Sequence, residues 1–209
     1  ADGIVSLTHE GLRVLPELGY RIRREAPREV IPTCTDLRRF CPAPKDAELV
    51  GRLKLGQTLV LGCTGTMSNW YLRQPMLACL SDLVRRWTHT MILIVTREDH
   101  DRLRVDARGA GIPDDRLVIV QAPFEAMPQY IRLMDLGVFF IAPTFSKKGS
   151  AATKLGEFLA CGVPVLINEG VGDSGWIVRT EGVGVVLPET TPAAYERYAG
   201  EVAALLADL

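Results

Sequence analysis

The sequence predicts an α/β protein built on a doubly wound parallel sheet, Rossmann-like in character. Two patterns predict it: short runs that are apolar at consecutive positions, and amphipathic stretches of helical period between them. Composition agrees, since 209 residues with 47% hydrophobic and 23% charged suffice for one sizeable core. No run reaches the roughly 18 consecutive apolar residues of a membrane-spanning helix.

Residues 3–7 read as a strand, 10–18 as a helix, and 20–28 as a basic, Pro-containing connection. Glu29-Val30-Ile31 then leads into Pro32-Thr33-Cys34-Thr35-Asp36-Leu37, and a domain boundary is expected between Arg28 and Thr35. The regular pattern begins near Gln57. Residues 58–63, 91–95, 117–120, 138–141, 163–167 and 183–187 are apolar runs; strands apolar on both faces belong to parallel sheets covered by helices. Between the first two, Met76, Leu80, Leu83, Val84 and Trp87 share one helical stripe, with Pro75 near its start. Ile131, Met134 and Leu136 read as a further short helical segment. Residues 151–161 form the next helix, with Leu155, Phe158 and Leu159 on its apolar face, Gly162 as its stop and Pro164 beyond. After the last strand, Thr191 is a helix N-cap, and Tyr195, Tyr198, Val202 and Leu205 follow on one face.

Charge and cysteine usage exclude several function classes. A net charge of −1 and a pI near 6.4 lack the basic excess of a nucleic-acid-binding domain. Five cysteines without a CxxC pair form neither a disulfide framework nor a zinc site. The three histidines, His9, His89 and His100, are scattered without metal-ligand spacing, so no metal is expected. The chain reads as cytoplasmic; Arg21, Arg23, Arg24, Arg28, Arg38 and Arg39 are read as a solvated linker, with attachment to the periphery of the inner membrane left open.

Ligands of open parallel sheets bind beyond the carboxyl ends of the strands, at the switch in strand order. Two loops there carry chemistry. The first, residues 62–69, offers Gly65, Thr66 and Ser68, small enough for backbone amides to approach a ligand, with Arg73 at the start of the following helix. An ordinary strand-to-helix turn is the competing reading, and neither GxGxxG nor a Walker pattern is present. The second is Phe145-Ser146-Lys147-Lys148-Gly149-Ser150, before the helix at 151–161. Lysines, Gly and Ser at a helix start suit a pyrophosphate, because free amides and the helix dipole favour negative charge. Thr153 and Glu157 lie one turn apart, away from the apolar stripe, and a carboxylate there accepts two hydrogen bonds from a ribose diol. The competing reading makes Lys147, Lys148, Lys154 and Glu157 a solvated helix face.

The segment Lys154-Leu155-Gly156-Glu157-Phe158-Leu159-Ala160-Cys161-Gly162-Val163-Pro164-Val165 resembles the K-L-x-E-x-(M/L)-A-x-G-x-P-V core of the family-four retaining glycosyltransferases, the group 1 glycosyltransferases. Thr153-Lys154 fits their S-x-T-K-L subgroup, and Gly170-Val171-Gly172-Asp173 a loop of that subgroup. Met134-Asp135-Leu136-Gly137-Val138 resembles the A-D-(V/L)-G strand entry, and residues 30–37 with Phe40 the V-I-P-N-G-V-D-x-x-x-F linker. The resemblance spans nearly the whole chain and implies the carboxy-terminal, donor-binding half of the two-domain GT-B fold. Residues 1–30 are then expected to be a remnant of the amino-terminal acceptor domain with its linker, and 31–209 the nucleotide-sugar-binding domain. The orphan first strand is expected to pack on a second copy, making a dimer, or to adapt locally.

By this resemblance the intact enzyme transfers a glycosyl group from a UDP- or GDP-sugar, with retention and without metal or cofactor, to an acceptor bound by the missing amino-terminal domain. Turnover by the fragment alone is not expected. Glu157 occupies the place of the last Glu of the family's E-x7-E motif, which holds the ribose; the first Glu falls at Gly149. Thr66 stands where relatives carry an Arg for the diphosphate, and Arg73 is nearest to the matching Lys. The expected donor-binding residues are Glu157, Thr153, Lys154, Leu155, Ser150, Gly149, Lys147, Arg73, Gly65 and Thr66, and the loop at Gln121-Ala122-Pro123 is expected to face the base. A sugar-nucleotide epimerase on the same fold and a non-catalytic doubly wound module are the alternatives.

Overall fold

A computed structural model describes residues 2–207. Eight strands and eight helices of the described residues follow one another in the order the apolar runs predict, with several elements the sequence pattern did not show. Strands β3 (Leu59–Thr64), β4 (Thr90–Val95), β5 (Leu117–Val120), β6 (Leu136–Phe139), β7 (Val165–Asn168) and β8 (Gly184–Leu187) form one six-stranded parallel sheet in the order β5-β4-β3-β6-β7-β8. Every residue of β4, β6 and β7 is buried, as a sheet covered on both faces requires. The crossover helices are α3 (Arg73–Arg86), α4 (His100–Gly109), α5 (Met127–Ile131), α6 (Thr153–Ala160) and α7 (Ser174–Glu181), with α8 (Pro192–Ala207) returning onto α3. Thr191 Oγ1 accepts from the Ala194 amide, as its N-cap role predicts.

The strand order reverses between β3 and β6. The chain builds outward from β3 to β5, then returns to the other side of β3 for β6. That central pairing is short, Leu61 with Leu136 and Gly62 with Gly137, and both glycines are there for packing. A Cβ on Gly62 would fall 1.9 Å from the Met134 sulfur, and one on Gly137 2.6–2.8 Å from three ring carbons of Phe158. Phe158, fully buried on α6, therefore presses directly onto the β6 backbone, and burial of such a side chain stabilises by about 1.5–3 kcal/mol.

The structure corrects the sequence reading in places. β6 runs over Leu136–Phe139 rather than 138–141, so Leu136 is a strand residue and the preceding helix ends at Ile131. Beyond Phe139 the chain leaves the ladder because the buried Asn168 side chain takes over: Oδ1 accepts from the Ile141 amide at 2.7 Å and Nδ2 donates to its carbonyl at 2.8 Å. Ile141 then makes an antiparallel bridge with Tyr71. Helices α2 (Ala47–Arg52), α4 and α7 were not anticipated. Their apolar stripes are weak, and capping by Asp46 and Asp99 supports the first two instead.

The amino-terminal strand β1 (Ile4–Ser6) lies outside the main sheet. It pairs in parallel with β2 (Arg28–Val30) in a separate two-stranded sheet, and α1 (His9–Val14) leads away from it, ending four residues short of the predicted helix.

Because the Phe158 ring fills the space over Gly137, the Gly137→Ala variant is expected to lose about 1–3 kcal/mol of stability by overpacking, read as a lowered denaturant midpoint at unchanged slope.

Candidate functional site

The switch point brings together the two loops singled out in the sequence. Gly65, at φ +70, turns the chain out of β3, and residues 69–72 are then stitched to the end of β6: Leu72 N donates to Phe140 O, and Ala142 N to Trp70 O. On the other side, a 3-10 turn at Phe145–Gly149 precedes α6. Two lysines join these loops. Lys147 Nζ lies 4.5 Å from the centre of the Trp70 ring. Lys154 Nζ donates to the Thr66 carbonyl at 3.1 Å and sits 3.5 Å from the Tyr71 ring centre, with its stem against Gly65.

Lys154 is only 9% exposed, so the solvated-face reading does not hold for it. Burial pushes its pKa down to about 8, against the opposing pull of Cys63, Glu157 and Glu98. Its neighbour one turn on, Glu157, is half-buried, and burial raises its carboxyl above the ordinary range although Lys154 works the other way. The Glu157 carboxylate accepts no hydrogen bond from a described residue. Nor does any side chain cap α6, whose N-cap is Ala152, and the amides of Thr153 and Lys154 have no acceptor among the described residues. Free amides, a buried ammonium and a carboxylate without a hydrogen bond thus share the first two turns of one helix. Ser150 and Gly149 lie just ahead of it, Thr153 is exposed at its start, and Leu155 is buried beneath.

The β3 loop departs from expectation, because an internal carboxylate already occupies it. Glu98 Oε1 accepts from the Met67 and Ser68 amides at 3.2 and 3.1 Å and from Thr66 Oγ1 at 2.5 Å, and Ser68 Oγ also donates to it. Arg73 is engaged there too, donating to Glu98 Oε2 at 2.7 Å and Asp106 Oδ2 at 2.9 Å. Arg73 therefore serves carboxylates of the β4 loop and α4 and does not present a free charge to the crevice, and Thr66 faces it through its carbonyl on Lys154. Burial raises the Glu98 carboxyl, but the hydroxyls of Ser68 and Thr66, with Arg73, outweigh it and hold its pKa below the ordinary value. The sequence reading missed Glu98, although it stands in the loop after β4, where the same strand-end rule applies.

Beside this crevice, at the carboxyl ends of β3, β4 and β5, opens a cavity of about 490 Å³ lined by Gly65, Thr66, Thr96, Arg97, Ala122 and Phe124 among others. Ala122 belongs to the loop expected to face a base; Gln121 and Pro123 are not among its lining residues. Among the described residues no group of three or more His, Cys, Asp or Glu side chains is arranged for a metal ion.

The amino-terminal segment clasps the other side of the site. Asp173 accepts from the His9 and Glu10 amides at 2.7 and 3.2 Å and meets His9 Nδ1 at 2.8 Å. The buried Thr8 donates to the Lys148 carbonyl at 2.7 Å, and Gly172 N to the Lys147 carbonyl. Gly172 has no room for a Cβ, which would fall 2.3 Å from the Ser150 carbonyl. Burial raises the Asp173 carboxyl, yet the His9 and Glu10 amides outweigh it and keep its pKa low. His9, singled out in the sequence only for lacking metal-ligand spacing, is thus a partner in this clasp.

No family model matches this sequence, and no curated protein matches it. Solved structures do match in fold. Anabaena HepE in complex with UDP-glucose aligns over 99% of this chain and 56% of its own, with TM-score 0.68 and 16% identity. A glycosyltransferase from Rickettsia africae aligns over 98% and 54%, with TM-score 0.72 and 13% identity. The C-terminal domain of a group 1 family glycosyl transferase from Francisella tularensis aligns over 83% and 88%, with TM-score 0.55 and 16% identity. The chain spans little more than half the length of the first two. The fold is therefore the Rossmann-like carboxy-terminal half of the GT-B architecture.

Glu98→Gln is expected to lower stability at pH 7 by about 1–2 kcal/mol, the worth of hydrogen bonds to a partly buried charge. A carboxyl with a depressed folded pKa stabilises above its ordinary value of 4.5, and that stability is lost as pH falls through the folded pKa. Denaturant melts should show the gap between wild type and variant closing below that pH.

Proposed function

We propose that this chain is the donor-binding half of a glycosyltransferase, holding a nucleotide diphosphate sugar, UDP- or GDP-linked, at the switch point between β3 and β6. The observation that carries the reading is the start of α6. There two free amides, the Lys154 ammonium and the unpartnered Glu157 carboxylate lie within two turns, beside a cavity of size fit for a base.

Each group has a role in this reading. The amides of Thr153 and Lys154, with the dipole of α6, meet the diphosphate oxygens. Lys154 supplies the counter-charge from a desolvated position, where an ion pair is stronger than in water, and Lys147 adds a second cation from the turn at 145–149. Glu157 accepts the two ribose hydroxyls, and the cavity at Thr96, Arg97 and Ala122 takes the base. Ser150 and Thr153 contribute hydroxyls. The leaving diphosphate is stabilised by preorganised donors, without a metal, and transfer proceeds with retention. Among the structures with this fold, one holds UDP-glucose and another UDP, which supports the assignment of the ligand class. In this reading a second domain supplies the acceptor site.

Calorimetric titration with UDP and GDP tests the reading. Saturable binding of one nucleotide is expected, weakened by about 10- to 100-fold in Glu157→Ala, as loss of charged hydrogen bonds requires. Absence of binding to both by the folded protein would overturn it.

The ionisation of Lys154 gives a second test. Diphosphate binding needs the charged ammonium, and the phosphates are fully ionised above about pH 7. As pH rises from 7 to 9, through the Lys154 value of about 8, affinity is expected to fall severalfold. Lys154→Met should bind weakly at both pH values, with that dependence gone.

A further inference from the structure

Residues 39–42 and the carboxyl end of α6 meet around one arginine. Arg132 ends α5, and its guanidinium closes over the chain before α2. Nε donates to the Cys41 carbonyl at 2.7 Å, and Nη2 to the Arg39 carbonyl at 3.1 Å and to Cys41 Sγ at 3.2 Å. The same guanidinium donates to the side chain of Cys161, the C-cap of α6. The two segments touch here, since a Cβ on Gly162 would lie 3.6 Å from Cβ and Cγ of Pro42. Phe124 fixes residues 39–40 in turn, its ring 5.9 Å from that of Phe40 and 4.9 Å from the Arg39 guanidinium. Two free thiols, far apart in sequence, thus share one cation in a rigid setting.

We propose that Cys41 and Cys161 form a redox-modification site, at which hydrogen peroxide converts the two thiols into a disulfide that staples residues 39–42 to the end of α6. Three observations point to this pair. Cys41 is half-buried and Cys161 buried, so an oxidant meets the first and not the second. A guanidinium on a sulfur favours the thiolate, which is the form that attacks peroxide. Beside it stands a second thiol, in the position of a resolving cysteine. The remaining cysteines differ. Cys63 and Cys79 are each 1% exposed, and burial raises both thiols, that of Cys63 to about 12. Cys34 is exposed, and its sulfur donates to a neutral partner, the Pro32 carbonyl.

The Cys41 thiolate attacks one peroxide oxygen, the O–O bond breaks, and the other oxygen leaves as hydroxide, which takes up the proton that Cys41 released. Burial raises the pKa of Cys161 against the opposing pull of Arg132, so this thiol still carries its proton. Its sulfur then attacks the Cys41 sulfenic acid. The S–S bond forms, the S–O bond breaks, and the departing hydroxide leaves as water with the Cys161 proton. Two thiols are oxidised and one peroxide is reduced to water. The disulfide ties α6, the helix of Thr153, Lys154 and Glu157, to the chain before α2. This chemistry is independent of the ligand that α6 holds.

The test treats the 209-residue chain carrying Cys34→Ser with a slight molar excess of hydrogen peroxide under native conditions. Free thiols are then counted after denaturation, and linked peptides are mapped without reduction. Loss of the Cys41 and Cys161 thiols together is expected, with their peptides joined and lighter by two hydrogens, reversibly with dithiothreitol. The oxidised form should also show a raised urea midpoint, because the cross-link constrains the unfolded chain. In Cys161→Ser the Cys41 sulfenic acid should persist for trapping by dimedone, whereas in Cys41→Ser the Cys161 thiol should stay reduced. Arg132→Lys keeps a cation but loses the planar fork, and should slow the oxidation of Cys41 by about threefold or more. Cys41 driven on to the sulfinic acid with Cys161 still free would overturn the proposal. So would thiols that stay reduced in the folded chain and react only in urea.

Discussion

A single buried cation organises the site. The Lys154 ammonium leaves α6, crosses to the loop after β3 and ends on the Thr66 carbonyl and the Tyr71 ring. Taking an ammonium out of water is costly unless it finds polar partners. Here one carbonyl and one aromatic face are the direct partners, with Glu157 and Glu98 acting at longer range. That partial compensation lowers the lysine's pKa and leaves the charge receptive to an anion. The same contact draws the β3 and β6 loops toward each other, so the crevice has its shape before any ligand arrives.

Everything around Lys154 maintains that geometry. Phe158 seats α6 against Gly137, fixing the helix in height and rotation. Glu98 gathers the amides of the β3 loop and holds Arg73, so this loop is rigid but has no free amides at 67 and 68 to offer. The anion-binding role therefore passes to α6, which has an apolar N-cap and bare amides. The amino-terminal segment supports the turn at Phe145–Gly149 from the far side, through Thr8 on the Lys148 carbonyl and Asp173 on the start of α1. Segments expected to belong to the acceptor half thus reach the turn just before the proposed diphosphate site.

Much of this was legible in the sequence, and the limits have physical causes. The six core strands announce themselves because strands buried on both faces must be apolar at nearly every position. The α6 motif was legible because its groups lie close in sequence, where helical geometry fixes their relation. Arg73, by contrast, was read as a free cation since its partners, Glu98 and Asp106, lie 25 and 33 residues away; no local pattern reports such pairing. The clasp between His9 and Asp173 spans 164 residues and was invisible for the same reason. Strand β6 was misplaced by two residues because Phe140 and Ile141 look like strand, and only Asn168, on a neighbouring strand, ends the ladder there. The pairing of β1 with β2 was missed because three-residue strands carry too little pattern to register.

The most direct measurement is a crystal structure of this chain with UDP bound. The account predicts diphosphate oxygens within about 2.7–3.2 Å of Lys154 Nζ and the Thr153 amide, ribose hydroxyls on Glu157, and the base beside Thr96 and Ala122. UDP ordered elsewhere on the surface, with Lys154 still committed to the Thr66 carbonyl and Glu157 untouched, would contradict it.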